Sequence, residues 1–140
     1  MANTMHLDVV SAEESIYSGT VQEVIAPGSL GDLGILSGHS QLITTLKAGE
    51  LQYKTDEGMA SLFVAGGIME VQPSIVTVLT DTAVRSEDLD EKTAEEAKQR
   101  AENALEGKDP DDMDYEVIKI ELEAAKAQIQ MIQRIGKTLR

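Results

Sequence analysis

A chain of 140 residues with a formal net charge of -13 has room for one domain and a small appendage, and its acidity repels phosphate backbones, which excludes general nucleic-acid binding. The lack of cysteine and tryptophan, the single phenylalanine and the two distant histidines, His6 and His39, exclude a disulfide frame, a thiolate metal site and a base-stacking platform. No apolar run approaches the roughly 18 residues of a membrane span, and the opening MANTMHLDVV has neither a basic signal region nor an Arg-rich transit pattern, which predicts a soluble cytoplasmic protein with no membrane insertion.

Residues 1–85 read as strands. GTVQEVIAPG (19–28) is a strand ending at Pro27-Gly28, and LQYKTDEGMASLFVAGG (51–67) is two strand-like runs around the turn signal Asp56-Glu57-Gly58. Pro73 cuts GIMEVQ (67–72) from SIVTVLT (74–80), whose β-branched run suits a buried strand. Short runs punctuated by turn signals predict an all-β sandwich of about eight to ten antiparallel strands.

Residues 86–140 change character. In EDLDEKTAEEAKQRAENALEG (87–107), Ala94, Ala97, Ala101, Ala104 and Leu105 recur at helical spacing, with Asp88 or Asp90 as the cap and Gly107 as the stop. KDPDDMD (108–114) is a turn carrying a fresh cap. In the next helix Ile118, Leu122, Ala125, Ile129, Ile132 and Leu139 follow a near-heptad seam, with Ile135 beside it. The pattern predicts an antiparallel two-helix hairpin. Its alanine stripe buries little area, so the hairpin is either a plain stabilising element or one that can detach. Charge along it is uneven: residues 86–123 hold fifteen acids and five bases, whereas residues 124–140 hold Lys126, Arg134, Lys137 and Arg140 and no acid. Those cations either complement the helix dipole or form a basic probe for an acidic partner.

The stretch GDLGILSGHSQL (31–42) is where chemistry would be sought. It has no lysine for a Walker loop and the wrong glycine spacing for a dinucleotide fingerprint. Asp32, Ser37 and His39 are close in sequence, but nothing there fixes a catalytic triad. The glycines fit sharp bends between strands. Paired acids such as Glu13-Glu14 and Asp111-Asp112 read as solvated charge, and DPDDMD lacks the glycine and glutamate of a calcium loop. No metal or cofactor site emerges. A standalone ligand-binding or enzymatic sandwich built on His39 and Asp32 stays open as the alternative to a binding protein.

Four blocks in order, LDVVSAEESIYSG (7–19), GDLGILSGHSQLIT (31–44), VAGGIMEVQPSIVTVLTDTAVR (64–85) and LDEKTAEEAKQRAENAL (89–105), resemble the ε subunits of bacterial F-type ATP synthases over essentially the whole chain. The resemblance implies a sandwich of about ten strands followed by a helical hairpin. It also implies a non-catalytic rotor subunit at the cytoplasmic face of the bacterial inner membrane. In that family the sandwich grips the γ subunit and rests on the polar loops of the c-ring. Asp32 falls where the family often has a glutamate facing the c-ring, His39 matches a loop histidine, and Ser11 matches a serine near the γ contact. The hairpin either folds onto the sandwich or extends into the head formed by the α and β subunits and blocks ATP hydrolysis, its basic end (Lys126, Arg134, Lys137, Arg140) meeting an acidic loop of β. Some members bind ATP through a Leu/Ile-Asp-x-x-Arg-Ala motif. Here that motif reads Leu89-Asp90-Glu91-Lys92-Thr93-Ala94, with Thr93 for the arginine, and Val117, Ala124 and Gln128 stand at the second-helix arginine positions. Asp90 is then the remnant of a nucleotide site that has lost its phosphate-binding cations.

Overall fold

The computed structural model describes residues 3–139, and side chains as far as residue 136. The chain separates into two compact units, Met1–Ser86 and Glu87–Arg140.

The first unit is built from β1 (Met5–Val10), β2 (Ser15–Val21), β3 (Glu23–Gly28), β4 (Gly31–Leu36), β5 (Leu42–Thr55), β6 (Gly58–Val71), β7 (Ile75–Leu79) and β8 (Ala83–Arg85). They join in the order β2-β1-β7-β6-β5-β3-β4, with β8 added on β6. The centre is the hairpin of β5 and β6, fourteen residues each. Its turn lies at Asp56-Glu57, where Gly58 takes φ 117, a left-handed conformation that disfavours side chains. Thr55 Oγ1 accepts the Glu57 N–H at 3.1 Å. The hairpin is long enough to serve both layers. Its turn end pairs with β3 and, at Leu62–Val64, with β8. Its open end, from Ile68 to Val71, pairs with β7 and through it with β1 and β2. Between the two ends Gly66 and Gly67 take φ 96 and 140. A Cβ on Gly67 would collide with the Leu79 carbonyl oxygen.

Alternation fills the space between the layers. Leu7 and Val9 of β1, Val76 and Val78 of β7, and Met69 and Val71 of β6 meet Val24, Ala26, Ile35, Leu51, Leu62 and Val64 in one buried cluster, as period-two patterning requires. Phe63 is buried as well, yet lies outside this cluster, since its neighbours Leu62 and Val64 point inward. The buried Thr80 hydroxyl donates to the Gly66 and Thr82 carbonyls at 2.6 and 3.1 Å, so its polar atom is satisfied.

Two details differ from the sequence expectation. Eight strands are present among the described residues, the low end of the pattern reading and fewer than the ten that the resemblance implies; LFVAGG and GIMEVQ run together as one strand through the Gly66-Gly67 bend. The segment 19–28 does the opposite and divides at Gln22, whose N–H bonds to the Lys54 carbonyl at 2.7 Å. The sheet is also mixed: β1 and β7 run parallel, His6 opposite Ile75 through to Val10 opposite Leu79. A parallel pair needs a long crossover, and here β2 to β6 supply it.

The second unit is an α-helical pair, α1 (Glu91–Leu105) and α2 (Tyr115–Leu139). Asp90 caps α1, its carboxylate accepting the Lys92 N–H at 3.1 Å and the Thr93 hydroxyl at 2.6 Å. Gly107, at φ 75, follows the end of α1. Lys108 bonds to Asp114 across the connecting turn at 3.2 Å. Ala94 and Ala101 of α1 and Leu122, Ala125, Ile129 and Met131 of α2 are buried. Ala104 points to solvent, so the alanine stripe is narrower than its spacing suggests, because Ala104 lies at the edge of a 3.6-residue arc. The Leu139 side chain lies outside the described residues.

Candidate functional site

Ser11 stands at the turn between β1 and β2. Its hydroxyl accepts the N–H groups of Glu13 and Glu14 at 3.4 and 3.3 Å, which shapes the turn. Beside it an open depression of about 450 Å3 is lined by Val10, Gly67, Ile68, Leu79 and Asp81 among others. The β-ladders set Val10 opposite Leu79, Leu79 opposite Ile68 and Ile68 opposite Thr45. Ile68 and Leu79 are 47% and 53% exposed. The result is an apolar row on the outside of the sheet, where a half-solvated strand would ordinarily carry polar groups.

Asp32 is exposed at the start of β4, opposite Pro27. The β3–β4 turn before it carries Leu30 fully exposed. Ser29 ties this turn to β5, its N–H bonding to the Thr45 carbonyl at 3.1 Å and its hydroxyl to that of Thr45 at 2.7 Å. The continuous ladder Val10–Leu79–Ile68–Thr45 therefore leads from Ser11 to the Asp32 turn, and both lie at one end of the sandwich.

His39 does not join them. The segment 31–42 is a strand followed by a loop, and the strand alone sets about 13 Å between Asp32 and Leu36. The loop is fixed at the other end of the fold: Gly38 N–H bonds to the Pro73 carbonyl at 2.9 Å, and the Ser37 hydroxyl donates to the Thr4 carbonyl at 3.0 Å. The His39 Nδ1–H donates to the Ser40 carbonyl at 2.7 Å. A single ligand or catalytic site using His39 with Asp32 is thus ruled out by geometry.

A cluster that the sequence reading passed over sits on the outer face of β1 and β2. His6 Nε2 lies 2.9 Å from Asp8 Oδ1 and 3.0 Å from Ser18 Oγ, and the Ser18 hydroxyl donates to Asp8 Oδ1 at 2.7 Å. The Ser18 hydrogen bond, followed by that of His6, holds the Asp8 carboxyl below its ordinary pKa. The three residue types of a hydrolase triad are present, but one imidazole nitrogen serves both partners and the serine proton points at the carboxylate. A relay needs the imidazole between the two, so this is a surface polar knot. His6 and Asp8 alternate onto one face and could have been read from spacing; Ser18 needed the β1–β2 register.

In the helical unit Asp90 and Thr93 bond to each other as a cap, which commits the Asp90 carboxylate. Val117 is exposed, and neither Ala124 nor Gln128 supplies a charge. Lys126 is exposed, its ammonium 4.0 Å from Glu123, and Arg134 is exposed on α2. The Lys137 side chain and Arg140 lie outside the described residues. Among the described residues no three His, Asp or Glu side chains converge as metal ligands, and no helix is long and apolar enough to cross a membrane.

Residues 4–86 match the family described as ATP synthase, Delta/Epsilon chain, beta-sandwich domain, and residues 87–133 match ATP synthase, Delta/Epsilon chain, long alpha-helix domain. The chain belongs to the ATP synthase delta/epsilon family. An ATP synthase epsilon chain of Thioalkalivibrio sulfidiphilus is 52% identical over 142 residues, covering all of both chains. One of a Janthinobacterium species is 53% identical over 138 residues, covering 96% of this chain and 97% of the other. In fold alone, the chain is similar to a chain of the Euglena gracilis mitochondrial ATP synthase, with a TM-score of 0.81 and 22% identity over 94% of this chain and 82% of that one. A chain from the central stalk and c-ring of the Tetrahymena thermophila enzyme gives a TM-score of 0.62 at 12% identity, over 91% and 96% respectively.

Proposed function

We propose that this family member is the ε subunit of the central stalk of a bacterial F-type ATP synthase, with a sandwich that joins γ to the c-ring and a helical pair that restrains ATP hydrolysis. It works as a non-catalytic subunit, held peripherally at the cytoplasmic face of the inner membrane through the complex. The observation that carries this reading is the end-to-end correspondence with bacterial epsilon chains, each family segment falling on one compact unit of the fold.

The sandwich offers two surfaces suited to the linking role. The apolar row of Val10, Ile68 and Leu79 beside Ser11 fits burial against γ. The turn with exposed Leu30 and Asp32 at the same end fits the polar loops of the c-ring. His39 lies at the far end of the fold, away from both surfaces. The restraining role falls to the helical pair, whose acid-free segment 124–140 meets an acidic loop of the β subunit in the head of α and β subunits. Attraction between such surfaces acts on encounter and register and is screened by salt.

Truncation tests both roles together. Deleting residues from Ser86 onward leaves a unit with its own closed core, so assembly and coupled ATP synthesis persist while ATP hydrolysis rises. Reversing Arg134, Lys137 and Arg140 to glutamate gives part of that release, and the difference from wild type narrows at high salt. Unchanged hydrolysis in the truncated complex removes the restraining role, and failure of the unit to co-purify with γ removes the linking one.

A further inference from the structure

The seam through which α2 meets the burial of its own unit does not account for all of its apolar residues. Ile118, Leu122, Ala125 and Ile129 follow one heptad-like line. Val117 and Ile120 follow a second, three residues apart, and are 56% and 62% exposed, with the fully exposed Met113 in the turn just before the helix. At 100° per residue this second line lies about 130° around the helix from the first. β-branched residues on an exposed helix face contribute nothing to helix propensity, so helix formation does not explain them. The same angular count places Glu116 and Glu123 along one border of the stripe, and Glu121 along the other. Lys119 lies well away from it. Glu116, Glu121 and Glu123 are exposed.

We propose that this stripe, Val117 and Ile120 between two carboxylate borders with Met113 at its head, is a docking surface for a cationic amphipathic helix. The borders select the occupant. A helix with an apolar line flanked by lysine or arginine places its cations against both rows while its apolar line covers the stripe, the helix-on-helix arrangement in which flanking charges choose the partner. A second copy of α2 apposed through the same half brings carboxylates against carboxylates, which opposes pairing. The proposal rests on the surface of this chain and not on the rotor reading. It concerns the acidic half of α2, whereas the restraining contact uses the basic half.

The test uses the full-length chain and a fluorescent fourteen-residue helical peptide of alternating leucine and lysine blocks, LKKLLKLLKKLLKL, at low ionic strength. Binding is read by anisotropy, with oligomeric state read in parallel by sedimentation. Val117→Ser with Ile120→Ser leaves net charge unchanged and is expected to weaken binding at least tenfold. Glu116→Gln with Glu121→Gln is expected to weaken it by a similar factor and flatten its salt dependence. Glu95→Gln with Glu96→Gln, the same charge change on exposed α1 positions, is expected to leave it within twofold. Equal losses from the α1 and α2 glutamine pairs, or full binding by the serine pair, mean attraction to bulk acidity and overturn the proposal. Self-association that Val117→Ser and Ile120→Ser abolish makes a second copy the occupant and overturns it too. Circular dichroism of each variant confirms that the helical unit is intact.

Discussion

Asp8 and Gly67 illustrate how single residues set the behaviour of the sandwich. The hydrogen bonds from Ser18 and His6 favour the charged form of Asp8, so its pKa in the folded chain lies below the unfolded value, about 3.9. A depressed carboxyl pKa contributes stability that is present above the unfolded pKa and lost as pH falls through the folded one. Asp8→Asn therefore lowers stability by a constant amount near neutrality, and wild type and variant begin to converge as pH falls below about 4. Urea unfolding across pH 3–7 checks this; a gap that persists unchanged at the acid end assigns the effect to something other than ionisation. Gly67 combines φ 140 with the Leu79 carbonyl oxygen where a Cβ would stand. Gly67→Ala is expected to cost roughly 1–3 kcal/mol, measured by the same titration.

At the scale of elements, α2 contains a glycine that answers to none of these constraints. Gly136 lies within the helix, and a Cβ there meets nothing within 4 Å. Helical glycine is about 1 kcal/mol less favourable than alanine, so Gly136→Ala is expected to raise the melting temperature of the helical unit, with the full effect reduced by fraying near the helix end. Helix recognition itself was legible: the Asp90 cap, the Gly107 stop and the Leu122–Ala125–Ile129 seam all follow from spacing. The sandwich character was equally legible from the short β-branched runs and their turn residues. Two things were not. A glycine pair can end a strand or bend it, and only the pairing with Leu79 and Leu46 makes Gly66-Gly67 a bend. The parallel partnership of β1 and β7 joins segments about 70 residues apart, beyond the reach of periodicity. The candidate docking positions were legible only as residue types. That Ser11 and Asp32 share one end while His39 lies at the other is a property of strand direction, and the apolar row of Val10, Ile68 and Leu79 exists only through registers across three strands.

For the molecule as a whole, we propose that the arrangement at the start of α1 leaves this chain without a nucleotide site. A phosphate chain needs cations or a cluster of N–H donors, and here the cap is occupied by Asp90 and Thr93 while positions 117, 124 and 128 offer a valine, an alanine and a glutamine. Equilibrium titration of the full chain with ATP at up to a few millimolar is expected to give no saturable signal. A micromolar dissociation constant, about -8 kcal/mol, requires a phosphate site elsewhere on the surface and reverses that conclusion.

The parallel pairing of β1 with β7 also sets an order of events during synthesis. The first strand cannot find both of its neighbours until residue 79 has left the ribosome, which at about 5–20 residues per second leaves an incomplete sheet waiting for several seconds. During that wait the β7-facing edge of β1 is open, and the apolar face carrying Leu7 and Val9 lacks Val76 and Val78 as cover. Topologies dominated by distant contacts fold slowly once complete, whereas helical pairs close in microseconds to milliseconds. The nascent chain is most exposed to misassociation before its helices exist, and a stall in translation ahead of Ile75 would prolong the vulnerable state more than one after it.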